Sequence, residues 1–238
     1  MIDANQSIAS VVLAEPATGS VFQRYAIDFC TFGTETVAER CRALGLDVGG
    51  LIAELEEACV YSDTGEPLSP GSIMELMSEI VATHHEWTRR SLRDLLRTAI
   101  KVEQQHPSHG AKLGLLIGAI EQTDELVRWH LAREERELFP ALLEKASRRH
   151  DIAHELTCMR DEHFLLLGGL RRIRVAADGF VAPPWACHTY RELLASLLSL
   201  EIRAQRAIHF ESFALMPRLI VAQGAQGAQG ARPPRSRP

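Results

Sequence analysis

The sequence has no Cys-x-x-Cys pair, no apolar run near the roughly 18 residues of a membrane span and no basic N-terminal leader. Its five cysteines, Cys30, Cys41, Cys59, Cys158 and Cys187, are odd in number and scattered. That excludes a disulfide framework and suits a reducing compartment. Ser10 to Ala14 is too short an apolar stretch for the core of a signal peptide, so a cytoplasmic protein without a membrane partner is expected. The net charge of −5, with both signs interspersed, gives no electrostatic footprint for nucleic acid. A Gly-rich phosphate loop and a Gly-x-Ser-x-Gly elbow are also missing, which removes the nucleotide-binding and nucleophilic-hydrolase readings.

What the chain does have is helical periodicity, over a length that allows a substantial core. Residues 1–20 read as a flexible leader, 21–60 as a small helical domain, 61–71 as a linker, 72–220 as a helical bundle and 221–238 as a disordered tail. In the small domain Thr36 and Glu39 have capping-box spacing, Gly45 supplies a stop, and Asp47 can cap a second helix carrying Leu51, Ile52, Leu55 and Ala58. Pro67 and Pro70 mark the linker. The Gln-Gly-Ala repeats and Arg-Pro-Pro segment of the tail cannot bury enough apolar surface to offset their ordering entropy. From Ser72 onward, apolar residues step by three and four in four long segments separated at 105–110, near 140–150 and at 179–184. The expected fold is all-α, an up-and-down antiparallel four-helix bundle preceded by a small helical N-terminal domain.

Five polar residues interrupt these apolar stripes: His85, His130, Glu134, His163 and Glu211. A buried carboxylate or imidazole is costly unless it is paired, hydrogen-bonded or bound to metal. Two segments are worn copies of each other, His130-x-x-x-Glu134 with Pro140 and Ala207-x-x-x-Glu211 with Pro217. The interval from His85 to His130 matches, to one residue, that from His163 to position 207. Each outgoing histidine thus meets a returning i, i+4 pair projecting from one helix face. Imidazoles and carboxylates converging from four helices make a non-haem di-iron or di-manganese cage, with a polar core network as the plainer alternative.

The other histidines fit that cage less well. His84 is rotated roughly 100° from His85 on a regular helix, which places it outside the ligand set or in solvent. His106 is a loop histidine roughly 31 Å along the helix from His85, with metal binding as the lesser alternative. His209 lies roughly 200° round the helix from position 207, and would reach the centre only by local distortion.

Taken jointly, Ile27-Asp28-Phe29-Cys30, Ile80 to His85, Lys101 to His106, His130-x-x-x-Glu134 with Leu138-Phe-Pro140, Asp161-Glu-His163 and His209-Phe-Glu211 with Leu215-Met-Pro217 resemble a known family. It is the hemerythrin-like di-iron proteins of the repair-of-iron-centres (RIC, ScdA/YtfE) type, and the resemblance covers roughly residues 21–220. It implies iron as cofactor, with His85, His130 and His163 as terminal ligands and Glu134 and Glu211 as bridges. Glu162 would support the site or line an access channel. It also implies repair of iron–sulfur clusters damaged by nitrosative or oxidative stress, through iron donation or nitric oxide reduction. The partners would be damaged iron–sulfur proteins and diatomic ligands, nitric oxide or oxygen, with the small domain as the element that would mediate a homodimer.

Two departures stand out. The family's fourth terminal histidine falls at Ala207, which leaves an open, water-filled position, a weaker second metal or a single-iron site. The family's paired cysteines read Cys30-Thr31-Phe32-Gly33, so one thiol remains and dithiol chemistry within the motif is lost. Two further functions compete with repair. One is hemerythrin-like binding of oxygen or nitric oxide without turnover, and the other a metal-depleted bundle kept for interaction or regulation. Whether the chain is an enzyme is left open by its residues.

Overall fold

Helix-starting signals in the first sixty residues are all used. The computed structural model describes residues 1–60, 72–143 and 152–221; the expected linker 61–71, and the expected tail beyond its first residue, lie outside the described residues. α1 (Ile8–Ala14) is capped by the Ser7 hydroxyl, which accepts from Ser10 N, and is followed by α2 (Thr18–Arg24). α3 (Val37–Leu44) begins at a Thr36/Glu39 capping box and stops at Gly45, whose φ of 66° lies in the left-handed region. Asp47 accepts from Gly49 N and Gly50 N at the start of α4 (Val48–Val60).

The expected flexible leader is not one. Ile8, Val11 and Val12 are spaced i, i+3, i+4 and are buried with Phe22, Phe29, Val37, Leu51 and Leu55 in the core of the small domain. Backbone bonds fix them there: Ile8 N donates to Glu35 O, Ala9 N to Gly33 O, Val37 N to Gln6 O and Ala38 N to Ala4 O. A seven-residue helix is marginal in isolation, so its stability comes from this pairing and from burial, worth about 2 kcal/mol per large apolar side chain.

Four long helices follow. α5 covers residues 73–105 as Ile73–Glu79, a π turn Ile80–His85 and Glu86–Gln105. α6 covers 110–143 as Gly110–Arg133, a π turn Glu134–Leu138 and Phe139–Leu143. α7 is Ile152–Ala176. α8 comprises His188–Phe210 and a π turn Glu211–Leu215, and stays helical to residue 221. They form the antiparallel bundle that the periodicity predicts, with no strand among the described residues. Its apolar interior is in two parts. The larger runs from Leu92 and Leu116 to Leu170 and Leu197; the smaller holds Leu76, Ile80, Phe139, Met159, Phe210 and Leu215. Between them lies a polar layer.

The small domain docks beside that layer, against α8. Gln23 donates to Gln205 at 2.5 Å, the Cys30 thiol to Gln205 O at 3.1 Å, and His209 Nε2 to Ala9 O at 3.2 Å. The His209 ring is wedged between Phe29 and Phe213, with centroids at 5.2 and 4.8 Å. Burial pushes its pKa down to about 4, against the opposing pull of the Ala9 and Phe29 backbone. Because the unfolded chain takes up this proton near pH 6.5 and the folded chain only near 4, the stability from neutral His209 is complete above pH 6.5 and is lost as pH falls towards 4. The loss amounts to about 3 kcal/mol. In urea unfolding of chelator-treated protein, a His209→Phe variant should flatten the pH 6.5–4 slope by that amount; an unchanged slope would remove His209 as its source.

Candidate metal centre

Three of the four bundle helices widen by one residue where they cross the polar layer, and each widened turn carries one of the expected donors. Glu86 N donates to Val81 O, Phe139 N to Glu134 O and Met216 N to Glu211 O, all i to i−5. Local sequence explains the widening. Pro140 and Pro217 have no N–H to give to the carbonyl four residues back, so the turns before them reorganise. In α5 the Thr83 hydroxyl donates to Glu79 O at 2.6 Å and that of Thr88 to His84 O at 2.7 Å, the kind of side-chain bond that loosens a helical ladder. The fourth donor element, α7, is regular and presents His163.

All five expected side chains meet. His85, His130, Glu134, His163 and Glu211 are each at most 2% exposed. Donor atoms of His130, Glu134, His163 and Glu211 lie within 4.8 Å of one another. The carboxylates divide their oxygens between two sets of nitrogens. Glu134 Oε1 is 3.5 Å from His130 Nε2, and Glu211 Oε2 is 2.9 Å from His163 Nε2. The other oxygens turn to His85, whose Nε2 is 3.2 Å from Glu134 Oε2 and 3.9 Å from Glu211 Oε1.

The outer nitrogens are held by three groups, of which only Glu162 was expected. His85 Nδ1 is 2.8 Å from Glu135, which Arg89 also holds at 2.9 Å. His130 Nδ1 is 2.8 Å from Glu162, itself paired with Arg133, and His163 Nδ1 is 3.2 Å from the Ser212 hydroxyl. Carboxylates on the outer nitrogen fix the ring and aim Nε2 inward. Glu135 could have been suspected only from its place next to Glu134. Replacing Glu162 by Gln, which keeps the shape but removes the charge, should cost about 10- to 100-fold in cation affinity in a competition titration; unchanged affinity would mean that the Arg133–Glu162 pair is merely structural.

His85 Nε2, His163 Nε2 and both oxygens of Glu134 are buried with no hydrogen-bond partner, because the short separations lack hydrogen-bond geometry. Orphan donors of this kind, at this cost, suit a bound cation. Burial alone would lower the His85 pKa, but the Glu134 and Glu211 carboxylates that face its Nε2 outweigh that and push it up to about 10. Burial would raise Glu211, yet His163 and His85 hold it well below the carboxylate range. A cation and a proton compete for the same nitrogens, so cation uptake releases protons.

The remaining expectations resolve differently. Ala207 lines a cavity of about 40 Å³ that reaches both donor sets, together with His84, His85, Thr88, His130 and Glu211, room for a few waters or one diatomic ligand. His84, expected outside the set, is therefore on the cavity wall. His209 faces the small domain, and His106 packs at a tilt against Trp185, with centroids at 5.4 Å, at the loop end of α5. Burial pushes the Cys30 thiol well up, which is the opposite of an activated thiolate. All five cysteines are free, and no helix among the described residues is long and apolar enough to cross a membrane.

Comparison with known proteins agrees with this geometry. Residues 4–59 match the ScdA_N model, a domain of unknown function, and residues 76–219 match the hemerythrin HHE cation binding domain. The chain is similar to the iron-sulfur cluster repair protein YtfE of Yersinia pseudotuberculosis (serotype IB, strain PB1/+), at 26% identity over 219 residues, covering 91% of this chain and 97% of that protein. The protein of the same name from Yersinia pestis (strain Pestoides F) matches with the same identity and coverage.

Proposed function

The chain belongs to the hemerythrin HHE cation-binding family, and on that premise we propose that it is a non-haem di-iron protein for repair of iron–sulfur clusters damaged by nitrosative or oxidative stress. His130 and His163 would hold one iron and His85 the other, with Glu134 and Glu211 bridging. The observation that carries this reading is the division of both carboxylates between His85 on one side and His130 and His163 on the other, with His85 Nε2 and His163 Nε2 buried and unpartnered. The names of the Yersinia relatives supply the repair role. When bound, such a centre supplies redox-active, ligand-exchanging iron, either for donation to a damaged cluster or for reduction of nitric oxide.

The chain's own residues do the rest. Glu135 and Glu162 fix the imidazoles and take charge from their outer N–H groups. The two apolar blocks exclude bulk water above and below. The free thiols suit a reducing compartment such as the cytoplasm.

Metal analysis of anaerobically purified protein tests the centre, and restoration of a nitric-oxide-damaged [4Fe–4S] enzyme by the iron-loaded protein tests the role. Iron at about two per chain and recovery of the damaged enzyme are expected. Protein containing neither iron nor manganese would end the reading. The cavity beside His85 favours one second function, capture of oxygen or nitric oxide without turnover; reversible oxygen spectra with no consumption of nitric oxide would select it.

A further inference from the structure

The two sets of donors are unequal. On one side stand two imidazoles and two carboxylate oxygens; on the other, the same two carboxylates meet a single imidazole, His85. Pseudo-symmetry puts the missing donor at Ala207, and a methyl group cannot coordinate. The space it leaves belongs to the 40 Å³ cavity that His84, His85, Ala207 and Glu211 share.

We infer that His84 supplies the fourth side-chain donor to the cation on the His85 side, doing from α5 what Ala207 cannot do from α8. The inference rests on the two-cation reading above. In a regular helix His84 and His85 would diverge by roughly 100°, but they close the π turn Ile80–His85, and both line the cavity. The His84 ring has no hydrogen bond, ion pair or ring contact among the described residues, so it is not engaged elsewhere. The other candidates are: His209 bonds Ala9 O, and the Cys30 thiol bonds Gln205 O, both at the docking interface. His84 also lines the open groove formed by Val12, Leu76, Arg203, Arg206 and Phe210. It therefore stands between cavity and solvent. The cation it holds is the exchangeable one.

The test is ferrous iron titration of the metal-free full chain, anaerobically, with metal content measured after desalting, for wild type, His84→Ala, Ala207→His and the double variant. Wild type should bind two irons and His84→Ala one, the second site weakening at least ~100-fold; Ala207→His should restore the second iron to the His84→Ala protein. Two irons at unchanged affinity in His84→Ala would overturn the inference, as would a wild type that binds only one. If His84→Ala loses both irons and the double variant fails to recover them, the inference is also overturned, since the loss is then structural. A wild type that binds none would instead overturn the di-iron reading itself.

Discussion

A Glu134→Gln variant should leave anaerobic purification with less than about a tenth of the wild-type metal, because Glu134 is the only ligand candidate whose two oxygens both lie buried and unpartnered between the two donor sets. Loss of one terminal imidazole removes one donor from one site. Loss of this carboxylate removes a donor and a negative charge from both sites at once, and the amide that replaces it offers one weak oxygen. His85→Ala and His130→Ala should each keep about one iron, which separates a shared bridge from a terminal ligand. Equal metal in Glu134→Gln and wild type would refute the bridging assignment.

The same variant isolates what the metal contributes to stability. A ligand that binds only the folded state at 1,000 times its dissociation constant stabilises it by about 4 kcal/mol. A domain of this size shifts its Tm by about 2–4 °C per kcal/mol. Stripping the wild type with a ferrous chelator should therefore lower Tm by about 10 °C, whereas Glu134→Gln should melt at one temperature with or without chelator. A wild type whose Tm ignores the chelator would point to the metal-depleted reading.

The bundle and its five inward donors could be read in the sequence for the same reason. A 3.6-residue period assigns positions to the interior, and histidine or glutamate at such positions is expensive enough to be noticed. What could not be read depends on other elements. Ile8, Val11 and Val12 carry the right spacing, but α1 is held by backbone bonds to residues 33–38, which no local pattern announces. Glu135 sits off the stripe, and its partner His85 comes from another helix. The π turns mattered most. Pro140 and Pro217 were visible as a repeated spacing from Glu134 and Glu211, yet the consequence of a missing N–H for helix register was not. A strict 100° step per residue placed His84 outside the centre, and the widened turn places it on the cavity wall.

The small domain is coupled to the metal by one close approach. A Cβ on Gly33 would lie 2.4 Å from Phe213 Cζ and 2.9 Å from Phe29 O, so glycine is required here by space. Phe213 belongs to the same π turn as Glu211 and packs on His209, which bonds Ala9 of the small domain. Any side chain at position 33 must push Phe213 away or lift the domain, and either movement pulls on the turn that aims Glu211. Overpacking of this kind costs about 1–3 kcal/mol, so Gly33→Ala should lower Tm by about 2–12 °C. Disturbing the support of a ligand should also weaken iron binding about 10-fold. Shortening the opposing ring separates the two causes: Gly33→Ala combined with Phe213→Leu should recover most of the iron affinity, because the push on the Glu211 turn is gone, while the approach to Phe29 O stays and keeps part of the Tm loss. If Gly33→Ala melts and binds iron as wild type does, the small domain is a passenger and the Phe213 contact carries no strain to the centre.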